Sequence, residues 1–260
     1  PGKGPWPVAL TGDACWRYAS DEVAMEVLRR GYILAQFSRV ELAPDIYSTD
    51  RSTGLYAVHP EGDYGALAAW AWGYHRCVDF LVTLDGVNRE QIAVVGHSRG
   101  GKTVLLAGAT DERIALTAPN NSGCGGAGCY RAQGQGSETM ADILKNISYW
   151  FSPRLKAFIG RESSLPFDQH SLKAAVAPRA LLSTEALSDL WANPSGTWQT
   201  HLAAREVYRF LGVEDRIGFW SREGGHDHGI ADWSAFLDFA DRQFRGIRPP
   251  TRFDINPFPD

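Results

Sequence analysis

Residues 91–109, with the sequence QIAVVGHSRGGKTVLLAGA, decide the fold. An apolar run leads into the segment GHSRG, and small and apolar residues then continue with helical spacing. This is the pattern G-x-S-x-G between a strand and a helix, which is the setting of a nucleophile elbow. The tight turn strains the backbone at the serine, so the neighbouring positions need glycine for clearance. Ser98 is therefore the predicted nucleophile, and the backbone N–H of Arg99 is predicted to face the oxyanion.

Short apolar segments alternate with longer helical ones on both sides of this elbow. The strand candidates are Trp6–Leu10, Tyr32–Phe37, Ile92–Val95, Ile114–Ala118, Ala180–Ser183 and Ile217–Trp220. The helix candidates are Asp21–Arg30, Tyr64–Leu84, Arg99–Ala109, Ser137–Asn146, Gln169–Val176, Gln199–Leu211 and Asp232–Phe244. This alternation predicts an α/β fold with a mostly parallel central sheet and helices on both faces, and the elbow specifies the α/β-hydrolase fold. We expect residues 1–260 to form one catalytic domain with an irregular tail from Gly246 to Asp260.

The composition argues against several classes of function. The chain has 260 residues, of which 44% are hydrophobic, and this is enough for one large core. A formal charge of −4 argues against a general affinity for nucleic acid or for anionic membranes. No apolar run is long enough to span a bilayer. The cysteines, which are Cys15, Cys77, Cys124 and Cys129, fit no metal-binding spacing, so we expect neither a metal nor another cofactor.

The general base should follow the last strand, because this fold supplies its triad in the order serine, acid, histidine. Residues 217–239 contain two candidates, His226 and His228. An imidazole in this loop can take the serine proton and return it to the leaving group. The remaining histidines are better explained as structural or surface residues. They are His59, His75, His97, His170 and His201.

The acid should follow a strand that lies between the serine and the histidine in the sequence. The strand candidate Ala180–Ser183 leads into Asp189, which is the preferred acid, with Glu185 in reserve. A carboxylate there would hold the tautomer of the imidazole and stabilise the imidazolium. The alternative is that Asp189 only caps a turn.

With these residues assembled, the sequence resembles the glucuronoyl esterases, which cut the ester between 4-O-methyl-glucuronic acid on xylan and lignin alcohols. The extended elbow from Gly96 to Lys102 is similar to the family pattern G-x-S-R-x-G-K. Further similarity to bacterial members lies in residues 118–127, 168–170, 177–179 and 189–194, which read APNNSGCGGA, DQH, APR and DLWANP. The resemblance runs from about Gly4 to Phe244.

The resemblance implies roles for four further side chains. Arg99 would help to hold the oxyanion, Lys102 would contact sugar oxygens, and Glu138 would accept sugar hydroxyls. Trp191 would line the uronate site. A guanidinium acts strongly on developing charge in a dry site, and Lys102 lies one helical turn past the serine. The plainer alternatives are a surface cation for Lys102, a helix-start acid for Glu138 and a core aromatic for Trp191.

The chain departs from the fungal pattern at several positions. Fungal members carry their acid as Glu where this chain has Asn121. An amide cannot serve as that acid, which strengthens the assignment of Asp189. The fungal cysteines before the serine and after the histidine are replaced by His97 and, by one alignment, Gly229. One alignment selects His228 as the base, and a longer ungapped one selects His226, which we prefer. Members of the family normally begin with further N-terminal sequence, and we expect that part of the usual domain to be missing here.

The resemblance therefore implies a serine esterase that hydrolyses the ester between (4-O-methyl-)glucuronic acid of glucuronoxylan and lignin alcohols. The alternatives are an esterase for another carbohydrate ester, such as acetyl-xylan or a methyl uronate, and a non-catalytic sugar-binding protein on a hydrolase fold. The resemblance also implies secretion or a periplasmic location. We expect a monomer whose partner is its substrate, without nucleic acid or membrane.

Overall fold

A computed structural model describes residues 3–48 and 50–258. Its centre is a sheet of six parallel strands in the order β2-β1-β3-β4-β5-β6. The strands are β1 (Trp6–Thr11), β2 (Ile33–Gln36), β3 (Val87–His97), β4 (Leu116–Asn120), β5 (Ala180–Ala186) and β6 (Ile217–Arg222). Because all strands run the same way, their carboxyl ends meet at one edge, where the connecting loops can form a site.

Helices cover both faces of this sheet. They are α1 (Asp21–Arg29), α2 (Gly54–Val58), α3 (Ala66–Leu81), α4 (Arg99–Thr110), α5 (Met140–Asn146), α6 (Gln169–Val176), α7 (Pro194–Phe210) and α8 (Ile230–Arg245). Helices α1 and α8 pack on one face, and α3 and α4 pack on the other. Strand β1 shows the division, since Ala9 faces α1 and α8 whereas Val8 and Leu10 face α3 and α4. Burial on both faces explains why the central strands are continuously apolar.

The predicted α/β-hydrolase fold and its parallel sheet are confirmed, and all six strand candidates correspond to strands. Several predicted boundaries were wrong. Helix α7 begins at Pro194 and not at Gln199, because Asn193 caps its first turn and proline suits the first helical position. Helix α5 begins at Met140 because Thr139 and Asp142 form a capping box.

Two further differences concern the segments around the sheet. The short helix α2 was not predicted from the sequence. In the tail, Phe253 packs against Phe239 in the core, and Asp254 forms a bridge with Phe219, so this segment is tied to the sheet without being helical. Pro259 and Asp260, at the end of the predicted tail, lie outside the described residues. Within the described ranges, no helix is long and apolar enough to cross a membrane.

Candidate active site

The turn between β3 and α4 has the geometry of a nucleophile elbow. Ser98 has φ 56° and ψ −120°, which is a strained conformation for a residue with a side chain. A Cβ atom at Gly96 would lie 2.5 Å from the carbonyl oxygen of Gly100, and one at Gly100 would lie 2.1 Å from Oδ1 of Asp13. Neither space can hold a methyl group, so both glycines of the motif are required here. The N–H of Ser98 donates to the carbonyl oxygen of Asn120 (2.9 Å), which fixes the elbow to the end of β4.

Of the two candidate bases, His226 is the one that contacts an acid. Its Nδ1 atom lies 2.5 Å from Oδ2 of Asp189, whose side chain is almost fully buried. The His226 ring remains 43% exposed. An ionised carboxylate can only accept, so Nδ1 of His226 carries the proton and Nε2 is left to accept another. This arrangement is that of a histidine held ready as a general base.

The second candidate, His228, lies in a different environment. Its ring stacks between His97 and Trp233, with centroids 5.5 and 5.3 Å away. Loss of contact with water lowers the pKa of His228 well below 6.5, and the neighbouring His97 and Arg17 add to this effect. The geometry therefore favours His226 over His228.

The other acid positions do not contact His226. Asn121 adopts a positive φ of 41°, and its Oδ1 accepts the N–H of Ala186 (2.7 Å), so it joins the ends of β4 and β5. Glu185 is fully buried, and neither of its carboxylate oxygens accepts a hydrogen bond from a described residue. Burial raises the pKa of Glu185, although the neighbouring Thr197 hydroxyl and the Lys173 cation oppose the rise.

Ser98 and His226 open onto one cavity of about 350 Å³. The other residues that line it are Cys15, Trp16, Arg39, Val40, Asp45, His97 and Arg99. These residues come from the loops after β1, β2, β3 and β6, which all lie at the same edge of the sheet. The cavity is therefore where parallel α/β sheets hold their ligands.

The guanidinium of Arg99 has a fixed position in this cavity. Its Nη1 lies 2.6 Å from Oδ2 of Asp45, and the group stacks on Trp150 at 4.8 Å from the ring centroid. The other oxygen of Asp45 accepts from Tyr149 (3.1 Å) and from Nε1 of Trp150 (2.8 Å). Asp45 thus accepts from three donors and holds the guanidinium of Arg99 in this position.

The three predicted sugar-binding residues form a separate group that does not line the cavity described above. Lys102 is buried, and its Nζ donates to the carbonyl oxygens of Ser122 (2.7 Å) and Cys124 (2.6 Å). Its Nζ is also 3.7 Å from Oε2 of Glu138. Burial lowers the pKa of Lys102 and raises that of Glu138, and each charge opposes the shift of the other.

Trp191 lies on the turn that follows Asp189, and its side chain is half exposed. Its carbonyl oxygen accepts the N–H of Glu138 (3.0 Å), so one turn carries the candidate acid and anchors the segment of Glu138. Trp191 is therefore not a core aromatic, and Lys102 is not a surface cation.

Sequence reasoning missed the residues that support the elbow from below. Asp13, at the end of β1, accepts the N–H of His97 (2.8 Å) and pairs with the buried Arg39, which also donates to the carbonyl oxygen of Gly12 (3.2 Å). Arg39 and Asp45 follow strand β2, and their position after a parallel strand could have marked them as candidates for the site.

Comparison with known proteins identifies the family. A family model described as glucuronyl esterase, fungi, matches residues 3–212, which is more than half of the chain. The chain belongs to the glucuronoyl esterase family. The resemblance inferred from the extended elbow is therefore confirmed.

Individual glucuronoyl esterases show the extent of the similarity. A 4-O-methyl-glucuronoyl methylesterase from Phanerochaete chrysosporium is 39% identical over 202 residues, which cover 74% of this chain and 42% of that protein. A family 15 carbohydrate esterase from Caldicellulosiruptor kristjansonii, itself a glucuronoyl esterase, has a TM-score of 0.91 at 35% identity, covering 100% of this chain and 73% of that one. A glucuronoyl esterase mutant from Sporotrichum thermophile, in complex with methyl 4-O-methyl-β-D-glucopyranuronate, has a TM-score of 0.80 at 27% identity, covering 98% and 71%.

These glucuronoyl esterases are longer than the present chain. It spans about half the length of the curated relatives that it matches.

Proposed function

We propose that this glucuronoyl esterase is a serine esterase that hydrolyses the ester between (4-O-methyl-)glucuronic acid of glucuronoxylan and lignin alcohols. The observation that carries the proposal is the hydrogen-bonded pair of Asp189 and His226, whose imidazole shares a cavity with the strained Ser98. The substrate class is supported by the relatives, one named for 4-O-methyl-glucuronoyl ester cleavage and one bound to a methyl ester of that sugar acid.

The proposed reaction is acyl transfer in two steps. Nε2 of His226 takes the proton of Ser98 while Oγ attacks the ester carbonyl of the uronate. The backbone N–H of Arg99 and its guanidinium stabilise the oxyanion. The carbon–oxygen bond to the alcohol breaks, and His226 returns the proton to the departing oxygen. Water then attacks the acyl-enzyme by the same proton path and releases the uronic acid and the free serine.

Three residues are proposed to hold the sugar in register, where orientation contributes much of the rate. Lys102 has three N–H donors and commits two of them to backbone carbonyls, which leaves one for a sugar oxygen or for Glu138. The carboxylate of Glu138 would accept sugar hydroxyls, and the half-exposed Trp191 would offer its face to the ring.

The test compares two esters with purified protein. We expect hydrolysis of benzyl glucuronate to exceed that of an acetylated xylo-oligosaccharide, and Ser98→Ala to abolish both. Equal or faster release of acetate would favour the alternative of a general carbohydrate esterase. Full activity of Ser98→Ala would contradict the nucleophile, and absence of turnover of either ester would favour a sugar-binding protein.

The location, the domain organisation and the oligomeric state of the enzyme are proposed as well. A polymer such as xylan cannot enter a cell, so we propose that the enzyme acts after secretion or in the periplasm on fragments that reach it. We also propose that residues 1–260 form one catalytic domain that works as a monomer without cofactor.

A further inference from the structure

Four aromatic rings form a continuous stack beside the candidate base. Trp16 stacks on His97 (centroids 5.4 Å apart, planes 20° apart), His97 on His228 (5.5 Å, 15°) and His228 on Trp233 (5.3 Å, 26°). His226 lies against the side of this stack, with its centroid 4.5 Å from that of His97. The ring of His97 thus contacts both histidines of the loop and adjoins the nucleophile in sequence.

A buried hydrogen bond fixes the state of His97. Nδ2 of Asn120 donates to Thr184 (2.8 Å) and to Oδ1 of Asp232 (3.1 Å). Both oxygens of Asp232 also accept from the guanidinium of Arg222, so they act as acceptors towards Asn120 and the amide cannot be reversed. Oδ1 of Asn120 must therefore accept from Nδ1 of His97, 2.6 Å away. Burial lowers the pKa of His97 to about 4, so at neutral pH the ring is neutral with its proton on Nδ1.

The same Asp232 carboxylate holds both ends of the loop that carries His226. It accepts the N–H of Gly229 (3.0 Å) at the end of the loop and Nε of Arg222 (2.9 Å) at its start. Arg222 Nη2 further donates to the carbonyl oxygen of Asp227 (2.8 Å). His97 is therefore joined to this loop twice, by ring stacking and through Asn120 and Asp232.

We propose that His97 is a positioning residue that holds the imidazole of His226 in register with Ser98. It acts through the ring stack and through its Nδ1–H bond to Asn120, and it takes no proton from the substrate. The proposal rests on the proposed function of Ser98 and His226, since it assumes that His226 is the base. It predicts a loss of chemistry without a loss of substrate binding, because His97 touches the base and the elbow but none of the three proposed sugar-binding residues.

The chain offers a matched control in His201. This ring is as deeply buried as that of His97, stacks on Trp198 at 5.1 Å with planes 15° apart, and has a pKa lowered by burial to about 3. It packs between α7 and β6, against Phe219, and lines neither the cavity nor the loop of His226. Substitution of His201 therefore removes a comparable buried ring without touching the site.

The experiment measures kcat and KM on benzyl glucuronate and the rate at which a fluorophosphonate labels Ser98. We expect His97→Ala to lower kcat and the labelling rate by about tenfold or more with KM within about twofold, because small misplacement of a catalytic group is costly. His97→Phe restores the stacked ring but not the donor, and its rates should fall between those of His97→Ala and the wild type. His201→Ala should lower thermal stability and leave both rates within about twofold of the wild type, because it leaves the catalytic geometry in place.

Each outcome decides something. Wild-type rates in His97→Ala, or an equal loss in His201→Ala, would overturn the proposal. If His97→Ala does not fold, His97→Phe decides it, and unchanged rates in that variant would count against a positioning role. Labelling does not depend on the sugar, so a protein that labels rapidly but does not cleave benzyl glucuronate would contradict the proposed substrate while still testing His97.

Discussion

Glu185 lies within strand β5 and Asp189 lies three residues beyond its end, but only Asp189 contacts His226. Glu185 is the next-to-last residue of the strand and is fully buried, whereas the carboxylate of Asp189 reaches the loop after β6. Position along one segment of the chain thus separates the proposed catalytic carboxylate from one that has no contact with His226.

Asp189→Asn should therefore lower kcat by about 10³- to 10⁴-fold, because an amide can leave the imidazole in the wrong tautomer. Glu185→Gln should stay within a few-fold of the wild type, since it removes no contact to His226. Steady-state kinetics of both variants on benzyl glucuronate check this. Comparable losses of kcat in the two variants would contradict the assignment of Asp189 as the acid.

The buried histidines make stability depend on pH. The pKa of His97 is lowered to about 4 and that of His201 to about 3, both by burial, from 6.5. Below pH 6.5 the unfolded chain binds protons that the folded chain does not, so the free energy of unfolding should fall as pH falls towards 4. Each histidine contributes about 1.4 kcal/mol per pH unit within this window.

Denaturant unfolding at several pH values between 4 and 7 measures this slope. His201→Phe should reduce the slope by the contribution of one histidine, because phenylalanine binds no proton in either the folded or the unfolded state. A slope unchanged by the substitution would mean that His201 is protonated in the folded protein.

Gly100→Ala tests the contact between the elbow and the residues below it. The new Cβ atom would lie 2.1 Å from Oδ1 of Asp13, which is paired with the buried Arg39 and cannot move freely. We expect a loss of roughly 1–3 kcal/mol or more in the free energy of unfolding, as for other overpacked sites, together with lower activity. Gly86→Ala is the matched control, because its nearest neighbour would be a Trp6 ring atom at 3.4 Å. Equal effects of the two substitutions would exclude a special role for this contact.

Lys102→Met separates support of the fold from contact with sugar. It removes the donor to two buried carbonyl oxygens and leaves Glu138 without its cation, so we expect a loss of about 2–4 kcal/mol in the free energy of unfolding. If Lys102 also contacts the sugar, KM for benzyl glucuronate should rise while KM for a small acetyl ester changes little. A variant with wild-type stability would contradict the buried geometry.

The sequence was sufficient for the sheet and for the turn that carries Ser98, because both depend on local patterns. Apolar runs bounded by helices identified all six strands, and the glycines around Ser98 have the steric reason that the motif suggests. The choice between His226 and His228 could not be made in this way. Both lie in one loop, and the contact that distinguishes them is made with Asp189, a residue distant in the sequence.

Lys102 shows a second limit of sequence reasoning. Its spacing from Ser98 correctly placed it on helix α4, but the spacing could not show that two backbone carbonyls in the loop after β4 would surround its ammonium group. Asp13 and Arg39 were missed for the same reason. An Asp after a strand can have many roles, and only the folded structure shows that Asp13 accepts from the elbow.

The contact between Asn121 and Ala186 joins the ends of two neighbouring strands, and parallel neighbours are only about 4.8 Å apart. A carboxylate at position 121, directly after β4, would therefore stand one strand away from the segment that carries Asp189. The rim of the sheet, rather than one position in the sequence, thus determines where a carboxylate can stand beside the loop after β6.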